Sequence, residues 1–349
     1  MTRSFLFFLT LLCVACCTLS TATFAQTFEK PTEYMDFMGK KQIEISEAHM
    51  SYTSAAAHGK SARKVDKRRK ELINSNLEAI KTIKALPDWK GDVALRDSTV
   101  SFLNTSYHIL NEDYAKIMDM EEVAEQSYDQ MEAYLKIQDL VSEKWSQAST
   151  RLREQVAVFA KKNNINLIAG KDTDLDKKIV ATNKVMKYKR ELYLIFYKCS
   201  NQESYVVSAM NKRDLNAIEQ SRSSLEKYTT ESLAKLLKIK PFNADNSIVD
   251  ACRKCLLFYQ KEAKEQVPAM QEYYTKKENF EKLGKVMQEK GSNRTQVDVD
   301  AYNKSVKEMN IITNKYNATN ELSNKMRTEA INNWNSTEDK FMDKHIPKH

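Results

Sequence analysis

Apolar residues along this chain recur three, four or seven positions apart over long stretches, and the residues that interrupt the period are polar rather than turn-forming. Ala62, Val65, Leu72, Ala79, Ile83 and Leu86 draw one such stripe, broken only by Arg69 and Asn76. That spacing puts one face of a helix against a core and the opposite face in solvent. The breakers are few and clustered: Pro87 and Gly91 in one group, Gly170 after an Asn-rich run, Pro241 before Phe242, and Gly291 after Glu289-Lys290. Six helices follow from reading the stripes between those turns. Helix A is expected over 32–86, B over 93–118, C over 120–163, A′ over 174–240, B′ over 246–289 and C′ over 296–343. Asp119-Met120-Glu121-Glu122 is read as the cap between B and C, and Thr173 and Thr295, each with Asp three places on, as N-caps. Kinks are expected at His58-Gly59-Lys60, at Asn211-Lys212-Arg213 and at Pro268.

Sliding the chain by 153 places lays Tyr52 on Tyr205, Val65 on Ile218, Arg69 on Arg222, Leu72 on Leu225, Ile83 on Leu236 and Leu103 on Leu256. Pro87 meets Pro241 one residue out of register. Amphipathic helices match one another readily, but a paired proline turn at the same distance from each stripe points to a duplicated unit. The expected fold is all-α: an elongated antiparallel bundle of long helices, two related three-helix units in tandem, over residues 26–166 and 167–349.

Composition agrees with this. Six Gly and five Pro in 349 residues are too few for a sheet protein, which needs a turn about every ten residues. A 42% hydrophobic and 9% aromatic content supplies a core.

Residues 1–25 read as a signal peptide: Arg3, then an apolar run from Phe5 to Ala15 too short to span a bilayer, then Thr23 and Ala25 at the −3 and −1 positions of a cleavage site before Gln26. A second reading takes Val14-Ala15-Cys16 or Ala15-Cys16-Cys17 as a lipobox, although neither cysteine has leucine three places before it. Export follows on either reading, to the periplasm, outer surface or medium. A membrane partner is expected only if Cys16 or Cys17 is lipidated.

The net charge of +8 is locally concentrated. Lys60, Arg63, Lys64, Lys67, Arg68, Arg69 and Lys70 make seven positive charges in eleven residues, with Asp66 among them. On a helix they spread around most of the circumference. This is a solvated face or a patch for anionic polymers and lipid head groups; Lys60, Arg63, Lys64, Lys67, Arg68 and Lys70 are its anion-binding residues on the second reading. No nucleic-acid recognition motif accompanies it, and export removes most such partners.

His108 and Glu112 stand four apart, but the chain has no Glu-x-x-His pair and no His-Glu-x-x-His, Gly-x-Ser-x-Gly or phosphate-cradling glycine loop. No catalytic residue, metal or cofactor is expected. Leu192 to Tyr197, the most apolar stretch after the leader, is six residues long, a core layer rather than a membrane segment. Cys199, Cys252 and Cys255 remain after the leader. With A′ continuous and antiparallel to B′, Cys199 falls roughly 45 Å from the other two, so no disulfide to it is expected.

The Phe24-Ala25-Gln26 end of the leader, the duplicated Tyr-rich helices and the proline turns resemble the uncharacterised helical surface proteins of Bacteroidota-type bacteria. The resemblance implies a secreted or surface location and no known catalytic residues. The expected function is that of a non-catalytic envelope or surface protein, a helical scaffold whose partner is an envelope protein or a glycan. The alternative is an anion-binding module acting through the Lys60 to Lys70 patch.

Overall fold

The computed structural model describes residues 27–58, 62–113, 124–167 and 174–348. The leader, Lys60, the Asp119 to Glu122 cap and Thr173 lie outside them. The fold is all-α. Among the described residues the only β pairing is two isolated bridges, Trp89 with Asp92 and Phe242 with Asp245.

The chain forms α1 (Pro31–Ala57), α2 (Ala62–Lys84), α3 (Ala94–His108) running into a π-helical turn (Ile109–Asp113), and α4 (Tyr128–Lys162). It then repeats the order with α5 (Asp174–Lys212), α6 (Leu215–Leu236), α7 (Ser247–Lys261) with a second π turn (Glu262–Gln266), α8 (Val267–Lys290) and α9 (Gln296–His345).

Helices A and A′ are therefore not continuous. The chain reverses where kinks were expected: α1 and α2 form one antiparallel hairpin, and α5 and α6 another. At the second reversal Arg213 takes the left-handed conformation (φ 57°), and the Asp214 carboxylate accepts from the amides of Asn216 and Ala217 at 3.1 and 3.0 Å. A carboxylate on those first amides satisfies donors that the helix leaves free. Each unit is thus built on four helical passes, not three.

The fold-back moves Cys199 as well. It lies in one core with Cys252 and Cys255 rather than far along a rod. All three thiols are free and buried. Burial pushes Cys199 up to about 11 and Cys255 to about 12, so both stay protonated thiols.

The two units repeat each other's contacts. Trp89 and Asp92 exchange backbone hydrogen bonds of 2.9 Å, and Phe242 and Asp245 do so at 3.0 and 2.8 Å, at the same offset that relates Arg69 to Arg222. Both central residues of each turn have positive φ: Lys90 and Gly91 in the first, Asn243 and Ala244 in the second. The Tyr34 hydroxyl donates to the Pro87 carbonyl at 3.0 Å, and Tyr188 to that of Lys240 at 2.8 Å. The two π turns stand at that offset as well. Such a turn widens the backbone ladder to i→i+5, and in each an arginine donates to a carbonyl of the turn: Arg69 to Leu110 at 2.9 Å, Arg222 to Ala263 at 3.4 Å.

One core lies within residues 34–159 and another within 185–346. A small cluster joins α4 to α5 through Met131, Leu135 and Tyr197. There the Tyr197 hydroxyl donates to the Glu125 carbonyl at 2.7 Å and Arg190 pairs with Asp139 at 2.6 Å, so α4 and α5 run antiparallel. Asp139 lies well back along α4 from Asn163, the end of that helix at the first turn, whereas Arg190 lies close to Tyr188 at the second. The units are therefore staggered by about 35 Å along the helix direction at ~1.5 Å per residue.

Candidate interaction surface

Unit 2 carries an arm that has no counterpart of equal length in unit 1. Lys162 pairs with Asp92 and Lys344 with Asp245, both at 2.7 Å, so the closing helices correspond at an offset of 182 rather than 153. The extra length lies between the second π turn and the middle of α9, and it extends α8 and α9 into a hairpin. Pro268, at the second position of α8, lacks the amide that would continue the regular ladder, and the π turn lies immediately before it.

From 271 to 311 no residue of the hairpin is fully buried. Its seam is aromatic: Tyr273 stacks on Tyr316 (centroids 4.2 Å apart), Phe280 on Tyr302 (5.5 Å), and the Tyr274 and Tyr316 hydroxyls lie 3.1 Å apart. Lys315 to Glu272 at 2.9 Å and Lys276 to Glu308 at 3.3 Å link the arms outside the seam.

The tip is firmly built. Thr295 caps α9, accepting from the Asp298 amide at 3.3 Å while the Asp298 carboxylate accepts from the Thr295 amide at 2.9 Å, as its cap spacing predicts. Lys290 binds the same carboxylate at 2.6 Å, and with Thr295 it holds Asp298 down at about 2. Arg294 donates to the Met287 carbonyl at 2.7 Å. Val286, Val297 and Ile311 are exposed along the arm, Val297 by 76%.

In the sequence-predicted anion patch, two carboxylates, Asp66 and Glu71, face three of the described cations. Lys70 pairs with Asp66 at 2.7 Å, and Glu71 faces both Arg68 at 2.9 Å and Lys67 at 3.9 Å. Arg69 turns inward to its π-turn carbonyl. Arg63 and Lys64 are exposed with no ion-pair partner among the described residues. His108 and Glu112 form an exposed pair at 2.8 Å, and no group of three or more metal-ligating side chains occurs among the described residues. Among them, no helix is long and apolar enough to cross a membrane. Leu192 and Phe196 lie in the core of unit 2, and Tyr197 in the cluster between the units.

Unit 1 has an apolar groove of about 360 Å³ between α1, α3 and α4, lined by Met35, Met38, Gly39, Ile43, Leu152 and Val156. In unit 2 the positions matching Gly39, Gln42 and Leu152 hold Tyr193, Phe196 and Trp334, and Phe196 stacks on Trp334 at 4.6 Å, filling the corresponding space.

A buried ionic cluster escaped the sequence reading. Arg327 on α9 donates from Nε to Glu203 of α5 and from Nη2 to Glu262 of the π turn, both at 2.5 Å. Ser323 adds a hydrogen bond of 2.9 Å to the same Glu262 oxygen, and Glu262 Oε2 is buried without a partner. The available signal was Glu262 and Gln266 continuing the apolar stripe of Cys255 and Tyr259, where a core helix carries apolar residues.

No protein-family model, curated protein or solved structure matches this chain.

Proposed function

We propose that the protein is a non-catalytic exported envelope or surface protein, and that it works as an elongated helical scaffold presenting the α8–α9 hairpin to a partner. The observation that carries this reading is the arm itself: it folds, with a capped and ion-paired tip, yet from 271 to 311 adds no fully buried side chain to either core. A segment that does not serve the core and exposes Val286, Val297 and Ile311 is suited to contact. Exposed aliphatic side chains favour a protein partner over a glycan, since the tyrosine faces that sugars stack on are turned toward one another. For the anionic-ligand reading, Arg63 and Lys64 are exposed without an ion-pair partner among the described residues, while Asp66 and Glu71 are shared among Lys67, Arg68 and Lys70.

The test is a pull-down from a bacterial envelope extract with the mature chain, with a variant in which a short turn replaces residues 275–310, and with Arg63, Lys64 and Lys67 reversed to Glu. A partner retained by the mature chain and by the charge-reversed variant, but lost from the shortened one, supports the hairpin. Retention of the mature chain on anionic liposomes at ~0.15 M salt, lost on charge reversal, supports the patch instead.

A further inference from the structure

We propose that Glu203, Arg327 and Glu262 form a proton-operated latch at the base of the hairpin, closed while the cluster holds one proton and loosened when it is lost. Two carboxylates share one guanidinium, side-chain exposure is 8% for Glu203 and 3% for Glu262, and one Glu262 oxygen has no donor. With both acids ionised, the cluster buries a net negative charge; with one protonated, it is neutral and the spare oxygen becomes a hydroxyl.

Among the described residues, Arg327 is the one cation paired with the two carboxylates. On α7, Tyr259 is fully buried, with its hydroxyl pushed strongly up by burial. On α6, Arg222 is engaged by Glu219 and Glu226 and donates to the Ala263 carbonyl. On α9, Ser323 is the remaining polar neighbour of Glu262, and Asn324 accepts from Arg327 Nη1 at 2.6 Å. Burial followed by the neighbouring Glu203 charge raises Glu262 to about 7, and burial also raises Glu203.

The placement makes this a latch rather than a static defect. Glu262 opens the π turn from which α8 springs, while Arg327 and Ser323 sit on α9, the other arm. Ionising Glu262 charges the junction of the two arms, and hydrating it requires α9 to part from the π turn. The folded-state acid lies above its ordinary value, so the stabilisation is complete below about pH 4.5 and is lost as pH rises through about 7. The latch rests on the proposed function only for its consequence, pH-dependent presentation of the arm; its test involves no partner.

Hydrogen exchange of the mature protein, corrected for the intrinsic pH dependence of the rate, is measured at about pH 5.5 and about pH 8. In the wild type, amides of the second π turn and the neighbouring turns of α8 and α9 should exchange at least about tenfold faster at the higher pH, with unit 1 unchanged. Glu262→Gln, which mimics the protonated acid, should remove the difference. Glu203→Gln, which leaves one carboxylate for one guanidinium, should do the same and serves if the first variant does not fold. Difference infrared spectra of the wild type should show a protonated carboxyl band disappearing across neutral pH. A wild type with no local pH response, variants that keep the full response, or no carboxyl band would each overturn the latch.

Discussion

The two units place different chemistry at three matching positions. Glu203, Glu262 and Arg327 of unit 2 correspond, at the offsets that relate Tyr34 to Tyr188, the π turns to each other and Lys162 to Lys344, to His49, Ile109 and Trp145 of unit 1. In unit 1 those residues gather as well: the His49 and Trp145 rings lie 4.9 Å apart, and Trp145 packs against the cluster formed by Ile109 and Val141. Burial holds His49 down at about 4, so it is neutral at pH 7. One backbone arrangement is therefore closed by an uncharged aromatic cluster in one unit and by a buried ionic cluster in the other. The helical framework does not require the charges, and they stand where the long arm leaves the bundle.

The largest expected effect breaks the charged cluster. Arg327→Ala strands two buried carboxylates and should cost about 3–5 kcal/mol at pH 7, with less lost at pH 5, where protonation relieves them. Urea unfolding at the two pH values reads both numbers. Giving unit 2 the residues of unit 1, Glu203→His with Glu262→Ile and Arg327→Trp, should be neutral or stabilising by up to about 4 kcal/mol and should flatten the pH dependence near 7. A loss of several kcal/mol would show that the units differ in more than the identities of these residues.

A smaller effect tests what the units share. Arg69→Met and Arg222→Met each remove a donor from a π-turn carbonyl and should cost about 1–2 kcal/mol, Arg69 more because its bond is shorter. The smallest concerns the tight turns, where Ala244 occupies the position of Gly91 with φ 64°. Ala244→Gly should raise stability by up to about 1 kcal/mol, whereas Gly91→Ala should lower it by a similar amount. Thermal unfolding midpoints of the pair decide the sign.

Much of this was legible in the chain. The helical period and the scarcity of Gly and Pro gave the class, and the offset seen between Arg69 and Arg222 reappears in their matching hydrogen bonds. The polar breaks at Arg69 and Asn76 have local causes: one serves the π turn, and the other donates to the Leu72 carbonyl at 3.0 Å while fully buried. The reversal after α5 was read only as a kink because Arg213, not glycine, takes the left-handed position. Reading A′ as continuous then set Cys199 apart from Cys252. The ionic cluster was hidden because its members lie far apart in sequence and are joined only by the packing of α5, the second π turn and α9. Glu71, just beyond the basic run, pairs with two of its members, a contact that a count of cations from Lys60 to Lys70 leaves out.

The most direct test of the hairpin's role is site-specific photo-crosslinking in envelope extract, with a photoreactive residue at Val286 or Ile311 on the arm and, as control, at Leu237, which is 78% exposed on the body of unit 2. The arm positions should yield the same discrete adduct, with none from Leu237. Adducts from Leu237 alone, or equally from all three positions, would contradict a binding role for the hairpin.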